Sequence, residues 1–130
     1  MATNTHTTLT KTITTYFTSI DASDLPTTIS LLAPTATFTI VTAANTTFTG
    51  RDAIHTMLAD FVDRSSSIEH RVLSMVVDEK AGKVATQQRY IGKLKDGTEN
   101  DMHNCNFFDV DEEGRIEKVV VWMGGGSPLK

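Results

Sequence analysis

The hydrophobic rhythm of the chain changes partway along. Near the start, Leu9, Ile13, Tyr16 and Ile20 recur at spacings of four, three and four, the stripe of an amphipathic helix. This predicts a first helix over residues 7–21. Eighteen of the 21 threonines lie in the first 50 residues; because Thr is a weak helix former, packing of the stripe must hold this helix more than propensity does. "ASDLPTTISLLAP" predicts a second helix with Asp24 at the N-cap, Pro26 in the first turn and Pro34 as the stop. Ile29, Leu31 and Leu32 form its buried side. "GRDAIHTMLADFVDR" restores the helical period through Ile54, Leu58 and Phe61.

Between and after these helices the period is two. "ATFTIVTA" places Phe38 and Ile40 on one face, and "NTTFTG" reads as a short partner strand. "SIEHRVLSMVVD", "VATQQRYIGKLK", "TENDMHNCNFFDV" and "IEKVVVWM" predict four long antiparallel strands. "EKAGK" and "DEEGR" are turns, and Asp96-Gly97 is a two-residue hairpin signal. Helices gathered on one face of an antiparallel sheet make an α+β fold, here a cone-shaped curved sheet with three helices enclosing a pocket. A single domain over residues 7–123 is expected, between a disordered start, 1–6, and a flexible tail, "GGGSPLK", at 124–130.

Composition removes several function classes. The 130 residues suit one core, and 39% apolar with 22% charged residues exclude a disordered chain. The net charge is −4 and the Lys and Arg residues are scattered, so no nucleic-acid partner is expected. No apolar run approaches a membrane span, and the polar "MATNTHTTLTK" carries no signal core, which points to the cytoplasm. Cys105 is the only cysteine. It allows no internal disulfide and no cysteine-cluster zinc site, and reads as a small residue packed in a strand.

The element order, with "IDASDLPTTISLLAPTATF", "TFTGRDAI" and "FFDVDEEGRIEKVVVW", resembles the nuclear-transport-factor-2-like superfamily from about Leu9 to Met123. That superfamily includes ketosteroid isomerase, scytalone dehydratase, limonene epoxide hydrolase and the SnoaL-like polyketide cyclases. It holds enzymes and non-enzymes, so the resemblance implies a fold before a reaction. Set against ketosteroid isomerase, Tyr16 matches the tyrosine that hydrogen-bonds the substrate oxyanion, and Asn106 matches the acid that shares this task. The general base falls at Ile40, which takes no proton, so that reaction in its usual form is not expected. Set against scytalone dehydratase, Asp21 falls on the aspartate that orients a catalytic histidine, His70 on a pocket histidine, and Asn106 beside a pocket asparagine. The two water-holding tyrosines of that enzyme fall at Ile20 and Ile40. The triad of limonene epoxide hydrolase has no match, because Ile91 stands where an aspartate would follow Arg89.

The same resemblance turns Gln87, Arg89 and Ile91, then Met102, Asn104, Asn106 and Phe108, then Val119, Val121 and Met123 toward the cavity. An apolar wall with a few amides and one guanidinium suits a small-molecule pocket. The opposite face would expose Tyr90, Phe107, Val120 and Trp122, a patch that monomers rarely leave open, and a homodimer through this outer face is expected. In "IEHRVLSM" one register turns Glu69, Arg71, Leu73 and Met75 inward; the other turns Ile68, His70, Val72 and Val76 inward. A bulge would let both halves of the strand face the core. His70 is preferred as the inward residue, because imidazole titrates near neutral pH.

The candidate chemistry follows. His70, its tautomer fixed by Asp21, is the expected general acid/base, against a plain surface histidine and a helix-end aspartate. Tyr16 is an oxyanion donor or a core tyrosine. Arg89 would meet a substrate anion or form a structural ion pair across strands. Asn104 and Asn106, with Phe38 and Met123, complete the expected substrate wall. Glu99, Asp101 and His103 alternate as metal ligands could, but lie on the back face, and no metal site is expected. Without a flavin, nicotinamide or phosphate motif, no cofactor is expected. These residues point to an isomerase, cyclase or dehydratase of a hydrophobic polyketide-like molecule in secondary metabolism. A non-catalytic binding or accessory dimer and an epoxide hydrolase are the alternatives.

Overall fold

The computed structural model describes residues 4–130. Its elements run α1 (His6–Asp21), α2 (Leu25–Ser30), β1 (Leu32–Ile40), β2 (Thr46–Thr49), α3 (Arg51–Arg64), β3 (Ser65–Asp78), β4 (Lys83–Leu94), β5 (Glu99–Val110) and β6 (Ile116–Met123). The six strands form one sheet in the order β2-β1-β6-β5-β4-β3. All pairs are antiparallel except β1 with β6. The sheet is curled and unclosed, an α+β fold with the helices on its concave side.

The helical stripe of α1 is its buried face: Leu9, Ile13, Tyr16 and Ile20 are all buried, and the helix packs on β3. Its start is fixed by a capping box in which Thr5 Oγ accepts from the Thr8 N–H and Thr8 Oγ accepts from the Thr5 N–H. Of the start expected to be disordered, residues 1–3 lie outside the described residues. Asn4 Nδ2 donates to the Asp111 carbonyl at 2.9 Å, and His6 already belongs to α1. Asp24 caps α2, and buried Ser19 and Thr28 share a 2.6 Å hydrogen bond that ties α1 to α2. The second helix stops at Ser30, before Pro34. That proline sits exposed in β1, where the β1–β6 register shifts between Leu32 and Thr37, so its missing N–H breaks no ladder.

Two local features set which side chains face inward. In β3 the pairing with β4 shifts between Val72 and Ser74. This bulge turns Ile68 and His70 inward before it, and Met75 and Val77 after it. Val76, expected inside with His70, therefore faces outward. The β4–β5 hairpin holds a three-residue loop, Lys95-Asp96-Gly97, closed by the Leu94 N–H on the Thr98 carbonyl at 2.8 Å. Gly97, at φ 94°, supplies the left-handed residue that such a loop requires.

That loop corrects the reading of β4. A two-residue turn over Asp96-Gly97 would set Arg89 opposite Asn104. The longer loop sets Gln88 opposite Asn104 and Tyr90 opposite Met102, and directly opposed residues share a face. Thr86, Gln88 and Tyr90 are therefore buried inside. Gln87, Arg89 and Ile91 belong to the outer face.

Candidate active site

A cavity opens between α1, α3 and the concave face of β3–β6. Phe17, Ile20, Phe38, Leu58, Phe61 and Val121 make its apolar wall; Tyr16, His70, Gln88, Tyr90, Asn104 and Asn106 are its polar lining. Met123, Pro128 and Leu129 complete it. The free space is about 40 Å³, room for roughly two or three waters.

His70 stands on the inner wall, held by the last residue of α1. Asp21 Oδ1 lies 2.5 Å from His70 Nδ1, and Asp21 Oδ2 accepts the His70 backbone N–H at 2.7 Å. One carboxylate thus fixes both the strand position and the ring. With Nδ1–H donated to Asp21, Nε2 is the nitrogen left free to exchange a proton. The His70 ring lies between Phe17 and Tyr90, with centroids 5.2 and 5.4 Å away. Side-chain exposures of 13% for His70 and 22% for Asp21 keep the pair largely out of water, where a charge-assisted bond is stronger.

The amides form a directional chain. Thr86 Oγ1 donates to Gln88 Oε1 at 2.8 Å, and Gln88 Nε2 donates to Asn106 Oδ1 at 2.7 Å. The Asn106 amide nitrogen is the outgoing donor of that chain. Asn104 Oδ1 accepts the Gly124 N–H at 3.0 Å, which leaves its own nitrogen as a donor as well. Tyr16 is 3% exposed, and burial pushes its phenol far above the usual range, so it remains an O–H donor at any working pH. Burial also raises Tyr90, partly offset by the amide of Asn100.

The structure brings together Tyr16, Asp21, Phe38, His70, Asn104, Asn106 and Met123 of the residues singled out in the sequence. Arg89 does not join them. It points outward, Nε and Nη2 donating to the two oxygens of Asp101 at 2.7 and 2.6 Å. Its guanidinium holds the Asp101 carboxyl below the usual range. Glu69 is likewise outside, bonded to Arg71, with its own carboxyl lowered by that contact. Tyr90, expected on the outer face, lines the cavity. Phe107 and Trp122 are exposed on the outer side, and Cys105, read as a packed strand residue, is exposed instead because its place in β5 faces outward. Phe17, Gln88, Tyr90, Pro128 and Leu129 are the lining residues that sequence reasoning missed. Among the described residues the cavity lining holds no carboxylate, and no three His, Cys, Asp or Glu residues gather as metal ligands.

Residues 13–119 match the model of the SnoaL-like domain, and the chain belongs to that family. Curated protein sequences give no match. Similar solved structures include AusH from Aspergillus nidulans, 17% identical with TM-score 0.81 over 95% of this chain and 88% of that one. SalBIII, described as an epoxide hydrolase/cyclase-like enzyme in pyran ring formation in the polyether salinomycin, is 14% identical with TM-score 0.82 over 93% and 94%. An epoxide hydrolase from M. tuberculosis of the limonene epoxide hydrolase-like kind is 16% identical with TM-score 0.78 over 90% and 83%. At these identities the likeness is one of fold. Among the described residues, no helix is long and apolar enough to cross a membrane.

Proposed function

We propose that the protein is an acid–base enzyme acting on a hydrophobic, enolisable small molecule of polyketide type in secondary metabolism. The observation that carries this reading is the Asp21–His70 pair on the same cavity wall as the amide donors. His70 Nε2 takes a proton from the carbon beside a carbonyl, and the electron pair moves onto the oxygen. Tyr16 O–H and the Asn106 amide stabilise the enolate there, in a site walled by aromatic rings. Return of the proton to a conjugated carbon completes an isomerisation. Its delivery to a β-hydroxyl, with loss of water, completes a dehydration. Both need only side chains of this chain. The names borne by similar structures accord with such chemistry, but the weight rests on the geometry.

The test is turnover of a panel of hydroxylated aromatic polyketides by wild type, His70→Ala and Tyr16→Phe. Loss of roughly 100-fold or more in kcat is expected for His70→Ala, and a smaller loss for Tyr16→Phe. Unchanged kcat in a folded His70→Ala variant would refute the assignment. Epoxide opening by a carboxylate-activated water finds no support, since Asp21 is engaged by His70.

The second reading is a ligand-binding or accessory dimer, favoured by the small cavity and by buried Ile40. It would bind the same compounds without turning them over. In either reading the outer face, with Val76 at 66%, Phe107 at 48% and Trp122 at 49% exposure, is the proposed homodimer surface. Tyr90 is removed from it. Sedimentation of Trp122→Asp as a monomer, against a wild-type dimer, is the expected result.

A further inference from the structure

The segment that follows β6, expected as a loose tail, turns back over the cavity. Pro128 is buried and Leu129 packs against the core, both lining the cavity. Arg64, at the end of α3, donates from Nη2 to the Pro128 carbonyl at 2.5 Å. Ser127 Oγ braces the turn by bonding both the N–H and the carbonyl of Leu129 at 3.1 Å. The other end of the segment rests on β5. A Cβ at Gly124 would lie 2.4 Å from the His103 carbonyl oxygen, so only glycine permits this approach, and the Gly124 N–H is the group bound by Asn104 Oδ1.

The geometry points to Leu129 as a plug that competes with the ligand for the cavity. This rests on the reading of the cavity as the ligand site. A free space of about 40 Å³ is far below the roughly 300–1,000 Å³ of a pocket that holds a polyketide-sized molecule. With Leu129 and Pro128 in place, the apolar wall is complete. Their departure enlarges the cavity that His70 and the amides also line. The three glycines from Gly124 to Gly126 give the segment a backbone able to swing. Release of Gly124 also frees Asn104 Oδ1, so opening adds a hydrogen-bond acceptor to the wall at the moment the ligand enters. Leu129 thereby sets which ligands gain access: those whose apolar bulk replaces a leucine side chain.

Competition of this kind lowers the apparent affinity by the fraction of molecules already open. Partial burial of one leucine corresponds to about a tenfold effect. The probe is 2-naphthol, titrated by calorimetry into wild type, Leu129→Ala and Arg64→Met, with amide hydrogen exchange followed in parallel. Both variants are expected to bind about tenfold more tightly than wild type. In wild type, saturating 2-naphthol is expected to release the Gly124 and Leu129 amides to fast exchange while β5 and β6 stay protected. Equal affinity in all three proteins overturns the plug. Absence of binding in all three refutes the ligand reading of the cavity instead. The plug falls with it, because it is defined by competition with that ligand, whereas equal measurable affinity overturns the plug alone.

Discussion

Replacing Gln88 by Leu removes the centre of the amide chain while keeping a side chain of similar length in a site that is 1% exposed. Two buried partners lose their bonds: the Thr86 hydroxyl at 2.8 Å and the Asn106 carbonyl oxygen at 2.7 Å. Leaving a buried polar group unsatisfied costs about 1–3 kcal/mol. The Thr86 hydroxyl can rotate and recover part of its loss, and the added methyl groups gain about 1 kcal/mol of apolar burial. The expected net loss is about 2–3 kcal/mol. Urea unfolding followed by far-UV circular dichroism measures it, as a lower midpoint at unchanged slope. The triple variant Thr86→Val, Gln88→Leu, Asn106→Leu removes every partner at once and is expected to recover most of the loss. A Gln88→Leu protein within about 0.5 kcal/mol of wild type would refute the reasoning, as would a triple variant less stable than the single one.

Alkaline stability is the second prediction. The Tyr16 phenol is held above its unfolded value of 10.0 by burial, so its contribution is fully present below pH 10 and is lost as pH rises beyond that. Tyr16→Phe is expected to flatten the decline above pH 10 in unfolding experiments run at several pH values. In acid, Asp101 and Glu69, both lowered by arginine contacts, contribute above their unfolded range and lose that contribution as pH falls through their lowered values; Asp101→Asn is expected to flatten that acid limb. Arg89→Ala, an outer-face change remote from the cavity lining, is expected to leave turnover of any accepted substrate at the wild-type value.

The sequence carried the element order because each segment agrees with its own period, from the α1 stripe to the alternation of β5. The inward face of β5 and β6 was legible because Met102, Asn104, Asn106 and Phe108 alternate without interruption and the family resemblance points that face to the cavity. The face of β4 was not, because it is set from outside the strand. A single residue in the loop around Gly97 shifts the pairing, exchanging Gln88 and Tyr90 for Arg89 and Ile91. "VATQQRYIGKLK" has polar residues on both faces and gives no counterweight. In β3 the conflict between Val72 and Leu73 was visible as a broken alternation, and a bulge resolves it with His70 inside. The seat of Leu129 left no trace in periodicity, since one apolar residue in a glycine-rich stretch carries none; only the packed structure brings it to the cavity.

The central claim is that Asp21-held His70 moves protons in this cavity, and proton transfer can be watched without knowing the natural substrate. The measurement is uptake of solvent deuterium at the carbon between the carbonyls of benzoylacetone, an aromatic 1,3-diketone, in the presence of wild type, His70→Gln and Asp21→Asn. Wild type is expected to accelerate the exchange, His70→Gln to lose the acceleration by roughly 100-fold or more, and Asp21→Asn to fall between them. Equal acceleration by wild type and a folded His70→Gln protein would contradict the claim.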